Sequence, residues 1–177
     1  MLFRSIEIYN SNPFSLNMLD WIIKVNGTSY TLGNYIIPAD SFIVLIHENN
    51  VGLFTGINVG GIPSFEGMTN ESGLVELYYS NGTLLHATKY DIGYYDVAGK
   101  ENGGWSLEMI DDSKPCLRNS NWTASQDVLG GTPGRKNSYS YSVNDNIMPH
   151  AIKTGLLGTD TLLIRSEERR VGKECRL

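Results

Sequence analysis

The chain is poor in the residues on which reactive chemistry and covalent scaffolding depend. It holds 2 cysteines and 3 histidines in 177 residues. Cys116 and Cys175 cannot make a disulfide framework. No apolar run reaches the roughly 18 residues that a spanning helix needs, so no helical membrane insertion is expected. Basic residues are also in the minority, with 14 Lys and Arg against 19 Asp and Glu and a net charge of −5. That balance disfavours capture of a phosphate backbone, and no nucleic-acid partner is expected.

The ends differ in character from the middle. RSEERRVGKECRL, residues 165–177, is a dense mixture of Arg, Lys and Glu after a body of short apolar, Tyr-rich stretches. RSEERRVGKEC is also the translation of a common sequencing adapter, and MLFRS, residues 1–5, matches the end of a companion adapter. Both ends are therefore set aside as foreign to the fold. Ile6–Ile164 is expected to be an internal piece of a longer chain. Six of the 14 basic and three of the 19 acidic residues fall in those ends, which leaves 8 against 16 and a net charge of −8. Cys175 goes with them, so Cys116 is the remaining thiol and no internal disulfide is expected.

What remains has strand and turn grammar. IEIYN, residues 6–10, alternates apolar and polar positions before SNP stops it. WIIKVNGTSYTL, residues 21–32, places two β-rich runs around Asn26-Gly27, a pair suited to the positive φ values of a type I′ turn. SFIVLIHE, residues 41–48, is apolar almost throughout, the signature of a central strand covered on both faces. Residues 51–73 are Gly-rich and read as a long connection with one short strand near 52–56. LVELYYSNGTLLHATKY, residues 74–90, repeats the hairpin pattern around Asn81-Gly82. A loop over 91–104, a strand at 105–110 and a polar segment carrying Trp122 follow. No helical period appears, and the expected fold class is an all-β antiparallel sandwich.

Two stretches carry a family resemblance. IEIYNSNPFSLNMLDWIIKVNG resembles the start of the lamin tail domain as bacteria carry it, with an "EIYN" strand followed by Leu and then Trp21 opening a hairpin. GGWSLEMIDDSKPCLRNSNWTAS and GGTPGRKNS resemble its closing landmarks, here Gly103, Gly104, Ser106, Leu107, Glu108, Asp111, Asn121, Trp122, Gly131, Thr132, Pro133, Gly134 and Asn137. The likeness runs from Ile6 to about Asn137, without the family's opening strand. It implies an immunoglobulin-like β-sandwich over 6–137. Residues 138–164 then read as a linker and the start of a following Ig-like module, as in arrays of secreted bacterial proteins.

Trp21, Trp105 and Trp122 come from distant parts of the chain and are expected to tie their segments into the core, together with Leu77 and Leu107. Tyr94 and Tyr95, in a Gly-flanked loop, are the surface-binding candidates. Asp91, Asp96 and Glu101 share that loop and have the oxygen ligands calcium takes, without the EF-hand spacing, and solvated acids are the commoner case. His47-Glu48 lacks the second His of a zinc helix, because Val51 stands there. GYYDVAGK, residues 93–100, has five residues rather than four between its glycines, and Glu101 stands where a phosphate loop has Ser or Thr. No GxSxG elbow is present. His86 falls within an expected strand and His150 in the following module, neither beside an evident nucleophile. Asn-x-Ser/Thr patterns at Asn26, Asn70, Asn81 and Asn121 matter as glycan acceptors only in a eukaryotic secretory route.

The resemblance implies a noncatalytic binding or positioning module in a larger secreted or surface-attached bacterial protein, without a cofactor. Its partners would be a protein, a cell-surface polymer or neighbouring Ig-like domains. The alternatives are an accessory domain of a secreted hydrolase or nuclease, and a filament-associated structural domain.

Overall fold

The computed structural model describes residues 4–115 and 118–139, together with the backbone of 151–156 and 162–166. The strands are β1 (Ser5–Asn10), β2 (Leu16–Asn17), β3 (Ile22–Val25), β4 (Thr28–Thr31), β5 (Ile36–Ile37), β6 (Ser41–His47), β7 (Val59–Ile62), β8 (Ser72–Tyr78), β9 (Leu84–Asp91), β10 (Leu107–Met109) and β11 (Trp122–Ala124), followed by β12 (Ala151–Leu156) and β13 (Leu162–Ser166). The helical pieces among the described residues are all short 3-10 turns. The chain is all-β and sandwich-like.

Two sheets face each other. One has the order β4-β3-β8-β9 and the other β1-β6-β7. Strand alternation sends Ile23 and Val25 of β3 and Val75 and Leu77 of β8 inward from the first sheet. Ile6 and Ile8 of β1, Ile43 and Leu45 of β6, and Ile62 of β7 meet them from the second. Met18, Trp21, Leu32, Ile37 and Phe65 close the ends of this core. Trp21 is 7% exposed and takes Tyr79, at the tip of the second hairpin, edge-on with ring centroids 4.9 Å apart. The expected core positions Trp21 and Leu77 are thus in the core.

The first hairpin forms as its sequence dictates. Val25 pairs with Thr28, and Asn26 and Gly27 take φ of 50° and 86°, the two-residue type I′ geometry. Asn26 also stitches the turn to its neighbours. Its Oδ1 accepts the Leu74 N–H at 2.8 Å and its Nδ2 donates to the Gly67 carbonyl at 2.9 Å. The second hairpin differs from the expected pattern. Gly82 alone is left-handed, and the Gly82 N–H donates to the Tyr79 carbonyl, making a type I turn closed by glycine. Asn81 instead accepts the Thr83 N–H with its side chain.

Asn10 shows why a strand ends on that residue. It is 1% exposed, its Nδ2 donates to the carbonyls of Phe14, Ile37 and Pro38, and its Oδ1 accepts from Asn12. One buried amide therefore ties the end of β1 to the following loop and to β5, with its polar atoms satisfied.

β6 lies between β1 and β7, and Ile43, Val44, Leu45 and Ile46 are all buried, as a strand covered on both faces requires. The expected strand near 52–56 is displaced. Glu48–Leu53 is a 3-10 turn, and the strand is β7, which runs parallel to β6. The parallel pairing follows from the crossover, because the connection returns the chain to the end of the sheet where β6 began.

Residues 105–115 and 118–139 form a separate layer outside β1. Gly134 N–H donates to Glu7 Oε2 at 2.6 Å, and Glu7 pairs with Val44, so this segment meets the face of the sheet opposite the core. Gly134 lies so near Ile57 that a Cβ would come within 2.6 Å of its methyl group. β10 and β11 form a two-stranded antiparallel ribbon within this layer.

The linker and following module read at 138–164 lie largely outside the described residues, as do His150, Cys116, Met1–Phe3 and 167–177. Within that stretch β12 and β13 form an antiparallel hairpin. Ser5, read as foreign to the fold, pairs with Ile46 in β1.

Candidate functional site

The outer layer has a polar interior. Glu108 of β10 is 4% exposed, whereas the flanking Leu107 and Met109 are half-buried. Its Oε1 accepts from Thr132 Oγ1 at 2.8 Å and from Ser106 Oγ at 3.3 Å. Its Oε2 accepts the Ser138 N–H at 2.8 Å and the Ser138 hydroxyl at 2.6 Å. Burial pushes this carboxyl up, but the bonds from Ser138, Ser125 and Thr132 outweigh it and leave Glu108 below its usual range. Asn121, also buried, accepts the Asp111 N–H at 2.8 Å and donates to the carbonyls of Asp111 and Lys114. Asn137 donates to the Met109 carbonyl at 2.8 Å.

This arrangement corrects part of the expected core. Trp105 and Trp122 are half-buried and Leu107 is half-buried outside the main core cluster. A two-strand ribbon is too thin to enclose an indole, and its interior is taken by the hydrogen bonds around Glu108. Trp105 instead lies under Lys100, whose Nζ is 4.0 Å from the ring centroid.

The loop over 91–104 parts the residues expected to act together. Asp91 caps the 3-10 turn Ile92–Tyr94, with Oδ1 accepting the Gly93 N–H at 2.8 Å. Asp96 Oδ1 accepts from Thr123 Oγ1 of β11 at 3.0 Å. Glu101 is exposed in the 3-10 turn Lys100–Asn102. The three candidate calcium ligands do not converge. Among the described residues, no group of three or more His, Cys, Asp or Glu is placed to hold a metal ion.

The two tyrosines also separate. Tyr95 is half-buried and donates its hydroxyl to the Trp105 carbonyl at 3.0 Å, and burial pushes the phenol up. It is a strut rather than a surface platform, because its hydroxyl is spent on the Trp105 carbonyl. Tyr94 lines an open depression of about 380 Å³ with Asp96, Val97, Trp122, Gln126 and Tyr139. Its apolar rim is partly bare, with Val97 43% and the neighbouring Ile92 38% exposed. The Trp122 Nε1 in this wall is buried and has no acceptor among the described residues. Leaving such a donor unpaired costs about 1–3 kcal/mol.

His47 accepts the Asn49 N–H through Nδ1 at the end of β6, which occupies the residue in a turn. His86 stands opposite Leu77 in the β8–β9 pair, and burial holds its imidazole below the usual range.

Gln126, Tyr139 and Val97 escaped the sequence reading, since nothing local marks a polar loop residue as part of a depression. Glu108 carried a readable signal, an acid alternating at an inward position in a short strand.

The fold and site define an all-β, sandwich-like module with an aromatic-lined depression on its outer layer. Comparison with known proteins finds no match to a protein-family model, to a curated protein or to a solved structure.

Proposed function

We propose that residues 6–137, extended through Tyr139, act as a noncatalytic binding module of the lamin-tail, immunoglobulin-like type within a larger secreted or surface-attached bacterial protein. Its partner occupies the depression at Tyr94. The observation that carries this reading is the convergence of Tyr94 from one loop, Trp122 from β11 and Tyr139 from the closing segment on one open concavity. Aromatic rings on a hydrogen-bonded frame offer large contact area at little conformational cost. Loops held by rigid sheets are where such surfaces concentrate.

The lamin-tail assignment draws support from the packing of its landmark residues. Ser106 and Thr132 bond the Glu108 carboxylate, Asn137 bonds the carbonyl of the adjoining Met109, and Gly134 bonds Glu7 of β1. These residues therefore have a structural reason to occur together.

The test is retention of material from a solubilised bacterial envelope extract by the immobilised 177-residue chain and by its Tyr94→Ala variant. Retention that depends on Tyr94 supports the reading. Equal retention overturns it, as does turnover of ester, phosphate or glycoside substrates that one substitution in the chain abolishes.

A further inference from the structure

Resting on that reading, we propose that the depression takes an uncharged polysaccharide segment, with a pyranose face stacked on the aromatic wall and its hydroxyls bonded to the polar rim.

Tyr94, Trp122 and Tyr139 belong to the lining, and aromatic rings suit the C–H-bearing face of a sugar ring. Asp96 and Gln126 lie in the same lining. The Asp96 carboxylate is held by Thr123, so it is a positioned acceptor that takes donors only. The Gln126 side chain offers both an acceptor oxygen and two donor hydrogens. A ligand that meets both must donate to Asp96 and can donate to or accept from Gln126, and vicinal hydroxyls do both.

The competing ligand for an aromatic wall is a proline-rich peptide. Its prolines have no N–H and present carbonyl acceptors, which adds no donor for the Asp96 carboxylate beyond Thr123. Polyanions meet a second obstacle in the same carboxylate and in the net charge of −5. The depression is also open rather than a deep socket, and Val97 in its lining is 43% exposed, which suits a chain that continues past the site.

The full 177-residue chain is titrated by calorimetry with four probes: cellotetraose, chitotetraose, polygalacturonate and a decaproline peptide. Saturable binding of at least one neutral oligosaccharide is expected, weakened about tenfold or more by Tyr94→Ala and by Gln126→Ala. Both positions lie on loops, and an unchanged melting temperature shows that each variant is folded. Polygalacturonate and decaproline are expected not to bind. Preferential binding of either of those two, or oligosaccharide binding insensitive to both substitutions, overturns the assignment. Silence of all four probes also overturns it. If envelope material is still retained through Tyr94 in that case, the binding reading stands and only the ligand class falls.

Discussion

The carboxylate of Glu7, in the middle of the opening strand, accepts the backbone N–H of Gly134 at 2.6 Å, joining residues 127 positions apart. Burial pushes this carboxyl up from 4.5 to about 7, against the Gly134 hydrogen bond and with help from the nearby Glu108 charge. The bond that fastens the outer layer to the sheet is therefore made by an acid that holds its proton more tightly in the folded state than in the unfolded one.

The pH dependence follows from that sign. A folded-state value raised above the unfolded one contributes stability that is fully present below about pH 4.5 and is lost as pH rises through about 7. Glu108 works the other way, contributing above its unfolded value and losing that contribution as pH falls through its lowered one. His86 opposes Glu7 in this window, because an imidazole lowered by burial contributes stability above its unfolded value of 6.5 and loses it as pH falls below that. Glu7→Gln keeps an acceptor for Gly134 and removes the charge, so its melting temperature is expected to gain on that of the unsubstituted chain between pH 5.5 and pH 8. An unchanged profile in Glu7→Gln would refute the assignment of the slope to this residue.

The tryptophans are expected to separate in energy. Trp21→Ala removes a buried ring from the main core and is expected to cost about 3–5 kcal/mol in urea denaturation. Trp105→Ala removes a half-buried ring and its contact with Lys100, and is expected to cost about 1–2 kcal/mol. Equal losses would place Trp105 in a core that the geometry denies it.

Two left-handed glycines make a sharper contrast. A Cβ on Gly27, with φ of 86°, meets nothing within 4 Å, so Gly27→Ala is expected to cost about 1 kcal/mol from the backbone alone. A Cβ on Gly130, with φ of 85°, would lie 2.0 Å from the Gly104 carbonyl oxygen. Gly130→Ala must push the closing loop away from residues 104–106 and break the Ser106 N–H bond to the Gly130 carbonyl. A loss above about 3 kcal/mol is expected, with faster amide exchange at Ser106 as the local readout.

Ser138 sets the last prediction. Its N–H and hydroxyl both bond Glu108, yet the boundary legible in the sequence falls at Asn137, one residue short. A chain ending at Asn137 is expected to be less stable by about 1–3 kcal/mol than one ending at Tyr139, because it leaves a buried carboxylate oxygen without those donors. Equal melting temperatures would show that Ser138 is dispensable.

Much of the main sandwich was legible because its signals are local. Asn26-Gly27 between β-rich runs predicts its own hairpin, since the turn geometry depends on two residues. SFIVLIHE predicts a doubly covered strand from its unbroken apolarity, and β6 is buried on both faces. The strand near 52–56 was misplaced because Gly-Gly in β7 has no side-chain pattern to read; its pairing depends on β6 lying beside it. The site was half legible. Tyr94 lines the depression and Tyr95 bonds the Trp105 carbonyl, and no rule of composition separates adjacent identical residues.

By itself the sequence determined the all-β class, the two hairpins, the central strand and the anchoring Trp21, because alternation and turn chemistry act over a few residues. Only the tertiary structure decided that Glu7 meets Gly134, that Glu108 sits inside a cage of hydroxyls, and that three aromatic side chains from separate segments share one concavity. Those relations join positions tens of residues apart, and closing such loops is rewarded only when the whole interface forms, so no single segment records them.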